Sequence, residues 1–330
     1  MSSKILLTNL RTTASFCKTL NFLQRPWTPF IASQQRCAIH VDTPPSIPTL
    51  TTSYAHGISS QSLLSNTVDQ CLLHTVERHP DREALVFVQD GIRKTFAQFY
   101  QDVEQAAAGL LAVGLKKGDR LGMWGPNIYE WVLMQFATAK AGIILVAVNP
   151  AYQLQEVEFA LRKGTTGKPK GATLSHHNIV NNALFIGMRI GFNWRKNVRV
   201  CVPVPMYHCF GSVGGGMVMA IHGTTIVFPS TGYDGHANLV AAEKEKCTFV
   251  YGTPTMFIDM LNQPDLPKID LSSVEGGVVA GSPCPPEVIR KVISVMGIKE
   301  VVVCYLAVAG PGVVKQSDVL KGAELKAARQ

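Results

Sequence analysis

Acidic side chains are missing from the start of this chain: no Asp or Glu precedes Asp42. The same stretch holds Lys4, Arg11, Lys18, Arg25 and Arg36, frequent Ser and Thr, and interspersed Leu6, Leu7, Leu10 and Phe16. No compact apolar stretch sits between a basic start and a small-residue cleavage site, which disfavours a secretory signal. The composition fits an organelle transit peptide over residues 1–41, addressed to the mitochondrial matrix, with processing near Arg36 to Ile39. A disordered basic arm is the plainer alternative. The segment carries five positive charges and no negative ones, so the formal net charge of +8 falls to +3 without it. The basic balance therefore reads as an address, and no nucleic-acid partner is inferred from it.

Other absences narrow the class further. The eight cysteines contain no C-x-x-C pair, which points to reduced, mostly buried thiols. No apolar run is long and clean enough to span a bilayer; the longest, Ala137 to Val148, is short and carries Lys140. There is no G-x-G-x-x-G, which argues against a nicotinamide enzyme. A Walker A loop is missing too. Only two residues separate Gly164 from Gly167, and Pro169 stands where Ser or Thr would ligate magnesium. A P-loop kinase or NTPase is disfavoured on that spacing.

What is present is a glycine-rich basic loop: Gly164, Thr165, Thr166, Gly167, Lys168, Pro169, Lys170 and Gly171. Glycines let backbone N–H groups approach an anion closely. The two threonines can donate to phosphate oxygens, the two lysines can neutralise their charge, and Pro169 stops a helix from running through. A solvated basic turn is the bland reading.

Around this loop, 330 residues with a hydrophobic fraction of 46% are enough for two domains or one large α/β domain. Residues 42–60, rich in Pro, Thr and Ser, read as a linker. Apolar spacing predicts helices over 66–78, 96–113 (stopped by Gly114) and 129–140 (ended by Gly142), with strands at 84–88, 120–124 and 143–148. The second half repeats the pattern. Strands are expected at 198–204, 224–228, 248–251, 277–280 and 301–305, and helices at 212–222, 237–246, 255–261 and 286–295. Ser175 suits a helix N-cap, and His176-His177 reads as a helix start rather than a metal site. The alternation predicts an α/β fold of two doubly wound parallel-sheet subdomains, with ligands at the carboxyl ends of the strands. The divisions expected are 61–163, 164–305 and an atypical tail, 306–330. Gly214-Gly215-Gly216 leaves room for an acyl chain or for tight helix packing, two readings equally open.

Read with its downstream sequence, Ala172-Thr-Leu-Ser-His-His-Asn178, the loop resembles the signature of the adenylate-forming (AMP-binding) synthetases. That superfamily includes acyl-CoA synthetases, luciferase-like enzymes and peptide-synthetase adenylation domains. Pro205-Met-Tyr-His-Cys-Phe-Gly211, Tyr251-Gly-Thr-Pro-Thr-Met-Phe257 and Gly276-Gly-Val-Val-Ala-Gly-Ser-Pro283 are similar to later elements, in the expected order. Lys117-Gly-Asp-Arg-Leu-Gly122, Gly125-Pro-Asn127 and Asn149-Pro-Ala-Tyr152 look like the family's start. With the presequence, the wording is most similar to mitochondrial medium-chain acyl-CoA synthetases.

The resemblance implies ATP, Mg2+ and coenzyme A as reactants with a fatty acid, which becomes acyl-AMP and then acyl-CoA. It places the β- and γ-phosphates on Gly164–Lys170, a gating histidine, His208, beside the carboxylate, and adenine against Gly281, Ser282 and Pro283. Another adenylate former, of coumarate or luciferase type, is the rival enzyme reading; a non-catalytic nucleotide-binding remnant or splice isoform is the rival outside enzymes. Three departures bear on activity. Only Gln153 to Lys163 lies between the Asn-Pro-Ala-Tyr element and the loop, where the family carries a long α/β segment. Leu306-Ala-Val-Ala replaces a Gly-x-Thr-Glu whose side chains would contact phosphate and magnesium. The sequence given also stops short of the family's C-terminal domain, with its adenylation lysine. Weak or absent ligase activity is the expectation for this polypeptide.

Overall fold

The computed structural model describes residues 61–153, 155–158 and 173–304. The presequence, the linker to residue 60, the loop 164–171 and residues 305–330 lie outside the described residues.

The elements follow apolar spacing and its stop signals closely. Helix α1 (Val68–Arg78) starts at a capping box: Thr67 accepts from the N–H of Gln70, and Gln70 reaches back to Thr67. Strand β1 (Glu83–Phe87) is buried along nearly its whole length, as parallel strands covered on both faces are. Helix α2 (Phe96–Ala112) uses a second box, Thr95 with Gln98. Strand β3 (Arg120–Trp124), helix α3 (Tyr129–Ala141) and strand β4 (Ile144–Val148) come next. Gly142 ends α3 in the left-handed region at φ 72°.

Helix α4 (His176–Ile190) begins at Ser175, whose Oγ accepts from the Asn178 N–H. The strands β5 (Arg199–Cys201), β6 (Thr225–Phe228), β7 (Phe249–Gly252), β8 (Gly276–Ala280) and β9 (Glu300–Cys304) alternate with the later helices. β5 is shorter than its apolar run, and Pro203, which has no N–H to give a neighbour, lies just beyond it.

Two local differences from the sequence expectations have physical causes. Residues 92–95 form a strand, β2 (Ile92–Thr95), antiparallel to β1 through a turn at Asp90-Gly91. Gly91 sits at φ 65°, which fits the Asp-Gly hairpin signal. The stretch expected as one helix over 212–222 is α-helical at Cys209–Gly211, π-helical at Ser212–Met217 and α-helical again at Val218–His222. Three consecutive glycines hold the α form weakly. In addition, Gln135 Nε2 donates to the Ser212 carbonyl at 3.0 Å and supplies that oxygen with a partner from outside the helix.

Strand pairing gives a seven-stranded sheet, β2-β1-β6-β5-β7-β8-β9, and a separate two-stranded sheet, β3-β4. All neighbours are parallel except β1 and β2. The parallel α/β architecture agrees with the expectation, but the pairing crosses the expected boundary at residue 164. β1 lies against β6, with Leu85 opposite Ile226 and Phe87 opposite Phe228. Those phenyl rings stack at 4.5 Å. What the first half keeps to itself is β3 and β4, packed through Leu121 and Leu145 on α2 and α3.

Candidate active site

Parallel strands point their carboxyl ends the same way, so the segments following β5, β7 and β8 emerge along one edge of the large sheet. In this register Gly252 on β7 stands opposite Val279 on β8, and Ala280 stands opposite Cys304 on β9. The chain beyond each of these residues carries the sequence elements singled out above.

His208 follows β5. Its Nδ1 accepts from the Phe210 N–H at 3.1 Å, and the His208 backbone N–H donates to the Pro205 carbonyl at 3.2 Å. The residue keeps a solvent-exposed face, while protein around the rest of the ring lowers its pKa from the ordinary 6.5 by desolvation. A neutral imidazole whose Nδ1 is an acceptor carries its proton on Nε2. His208 therefore offers a hydrogen-bond donor without a charge. Gly211 closes the turn so tightly that an added Cβ would lie 2.3 Å from the Pro205 oxygen.

Thr253 follows β7 and caps the next helix (Pro254–Leu261); its Oγ1 accepts from the Met256 N–H. Gly281 follows β8 at φ 96°, and a Cβ there would stand 3.3 Å from Cγ2 of Thr253. Gly281, Ser282 and Pro283 are all exposed, directly after a strand buried at every position. A flat apolar ring could lie on such a surface, since no side chain rises from Gly281.

Gly164, Thr165, Thr166, Gly167, Lys168, Pro169 and Lys170 lie outside the described residues. Downstream of them, His176 Nδ1 accepts the Val68 N–H at 3.2 Å and ties the start of α4 to the start of α1. The three glycines 214–216 each face protein: an added Cβ would meet Phe210 at 3.4 Å, Val202 at 3.4 Å and Gln135 Oε1 at 3.3 Å respectively. Only at Gly216 is the approach closer than ordinary van der Waals contact. Sequence reasoning quoted Asn127 within the Gly125-Pro-Asn127 element and missed its role. The residue is buried, and nothing in apolar periodicity reports a buried carboxamide.

The sequence profile described as AMP-binding enzyme matches residues 72–163 and 164–311. The chain belongs to the AMP-binding enzyme family. It is 64% identical over 399 residues to a zebrafish (Danio rerio) protein named medium-chain acyl-CoA ligase ACSF2, mitochondrial, covering 92% of this chain and 66% of that one. The human protein of the same name is 39% identical over 362 residues, covering 80% of this chain and 59% of the relative. The chain thus spans about two thirds or less of the length of these curated relatives. Among solved structures, the N-terminal domain of FACL13 from Mycobacterium tuberculosis aligns with a TM-score of 0.65 at 18% identity, over 74% of this chain and 76% of that one. The Bacillus subtilis o-succinylbenzoate CoA synthetase, in complex with its acyl-adenylate intermediate, aligns at 0.68 and 18% identity, over 78% and 62%. Both likenesses establish the AMP-binding fold.

The family match is broken at one place, between Lys163 and Gly164. The zebrafish alignment is 399 residues long yet uses only 92% of a 330-residue chain, about 304 residues, so the relative carries roughly 95 residues without a counterpart here. The break in the family match falls at the end of the short Gln153–Lys163 stretch.

Proposed function

We propose that this chain carries the adenylate-forming site of a mitochondrial, matrix-addressed acyl-CoA ligase that activates a medium-chain fatty acid. The observation that carries the proposal is the edge where His208, Thr253 and Gly281 follow neighbouring parallel strands, in a chain 64% identical to a relative named for that activity. In the first step a carboxylate oxygen attacks the α-phosphorus of ATP; the bond to the bridging oxygen breaks and pyrophosphate leaves. In the second, the thiol of coenzyme A attacks the acyl carbonyl and AMP leaves. Neither step needs a protein nucleophile. Both need charge stabilised where it develops.

Thr165, Thr166, Lys168 and Lys170 are assigned to the β- and γ-phosphates. His208 is assigned to the carboxylate, where a neutral Nε2–H donor suits an oxygen that loses charge as it bonds to phosphorus. Gly281, Ser282 and Pro283 are assigned to the adenine face. Among the described residues no group of three His, Cys, Asp or Glu side chains is placed to hold a metal ion. Magnesium enters this reading as the counter-ion that ATP brings.

The join at Lys163–Gly164 favours a second reading: the polypeptide as written binds nucleotide and turns over weakly or not at all. Octanoate-dependent ATP–pyrophosphate exchange separates the two. The chain as written and the chain with the relatives' intervening segment restored are compared. The restored chain is expected to exchange faster, and Lys170→Ala to abolish its exchange. Equal rates with and without the segment would refute the effect assigned to the join. Indifference to Lys170→Ala would refute the phosphate assignment.

A further inference from the structure

Asn127 is 5% exposed and follows β3, yet its bonds reach the ends of two strands of the other sheet. Its backbone N–H donates to the Thr231 carbonyl at 3.1 Å, just past β6. Its Nδ2 donates to the Val204 carbonyl at 3.0 Å, and its Oδ1 accepts from the Met206 N–H at 2.8 Å. A carbonyl partner requires the NH2 and an N–H partner requires the oxygen, so the carboxamide has a single orientation. Those two contacts are the peptide groups on either side of Pro205. The Pro205 carbonyl in turn receives the His208 N–H, and its oxygen lies where a side chain on Gly211 would fall.

We propose that Asn127 is a positioning residue for His208. By holding both peptide groups that flank Pro205, its carboxamide sets the backbone from which the imidazole is presented with Nδ1 on the Phe210 N–H and Nε2–H outward. The link also runs between the two sheets, so the segment after β3 orients a side chain that follows β5. A role for this orientation in catalysis rests on the reading of His208 given above; the orientation itself does not.

The test is 15N NMR of histidine side chains in the full chain, with the His208 signals assigned by their loss in His208→Ala. The parent is expected to show one neutral tautomer, protonated at Nε2. Asn127→Ala removes both side-chain bonds; Asn127→Asp keeps the size and loses the donor to Val204. Each is expected to turn the single His208 tautomer into an averaged mixture. Asn181→Ala is the control. It removes another buried carboxamide, which bonds Leu64 at 2.7 and 2.9 Å, and should leave His208 unchanged. If only Asn127→Asp folds, it decides alone. The proposal is overturned by a mixed tautomer in the parent, by an unchanged signature in the folded Asn127 variants, or by an equal change in Asn181→Ala. Failure of both Asn127 variants to fold would also overturn it, making Asn127 a residue of the fold rather than of the site. Loss of ligand binding in His208→Ala is a separate question, so the two readings fail separately.

Discussion

Gly211 passes so close to Pro205 that a methyl group on its Cα would lie 2.3 Å from the Pro205 carbonyl oxygen. Both partners are backbone, so no side chain can swing away to relieve the contact. Gly211→Ala is therefore expected to cost about 1–3 kcal/mol, as overpacked sites do. Gly214→Ala meets only the edge of Phe210, at 3.4 Å, and should cost less. Urea unfolding of the two variants checks the order; equal losses would contradict it.

Acidification should weaken the fold through one ring of charges. Arg93 bonds Glu83 at 2.7 Å and Glu245 at 2.8 Å, and Arg199 bonds the same two carboxylates at 2.8 and 2.7 Å. The hydrogen bonds from Arg93 are the leading cause that holds both carboxyls below their ordinary 4.5. Carboxyls with a lowered folded pKa stabilise above the unfolded value, and that stability is lost as pH falls through the folded value. Stability measured from pH 7 downward should thus decline below about 4.5. Arg93→Met should cost about 1 kcal/mol at pH 7 and flatten that decline. An unchanged acid limb in the variant would rule the ring out as its source.

Ser175 caps α4 directly downstream of the glycine-rich loop. Its Oγ accepts from the Asn178 N–H at 3.2 Å, and Asn178 Oδ1 accepts from the Ser175 N–H at 3.2 Å. Ser175→Ala should cost about 1 kcal/mol. Ser175→Asp, which also caps, should restore most of it; a loss of equal size in both variants would deny the capping role.

The small sheet is covered unevenly. Leu121 and Leu145 pack on α2 and α3; on the opposite face Val146 and Val148 are buried with Val157, while Trp124 and Ile144 are 46% and 41% exposed. Parallel strands ordinarily have both faces covered, and two strands alone are marginal in water. Amide hydrogen exchange over residues 120–124 and 144–148 should be faster than over β6 to β8. Restoring the relatives' segment between Lys163 and Gly164 should slow it. Exchange as slow as in β7 without that segment would show that the two-stranded sheet needs no cover.

Much of this was legible in the residues because buried parallel strands are continuous apolar runs. Thr225–Phe228 and Gly276–Ala280 could be placed that way, and Gly142 announced the end of its helix. Partnership between distant strands was not legible. Nothing in Glu83–Phe87 says that it lies beside Thr225–Phe228, because pairing is decided by three-dimensional packing rather than by local pattern. The π-helical turn was hidden for a similar reason, since Gln135, which binds Ser212, is on another helix. At the site, His208 and Gly281 stood out through the motifs around them. Asn127 was quoted within Gly125-Pro-Asn127 but was given no role, because its importance lies in partners 77 and 79 positions away.

The most direct measurement is a calorimetric titration of the full chain with octanoyl-sulfamoyl-adenosine, an acyl-adenylate mimic with a linkage that resists hydrolysis. The expected result is saturable one-to-one binding, weakened by about tenfold or more in His208→Ala and in Gly281→Val, equivalent to about 1.4 kcal/mol or more. Absence of saturable binding by the folded chain, or binding that ignores both substitutions, would contradict the placement of an adenylate-forming site at this sheet edge.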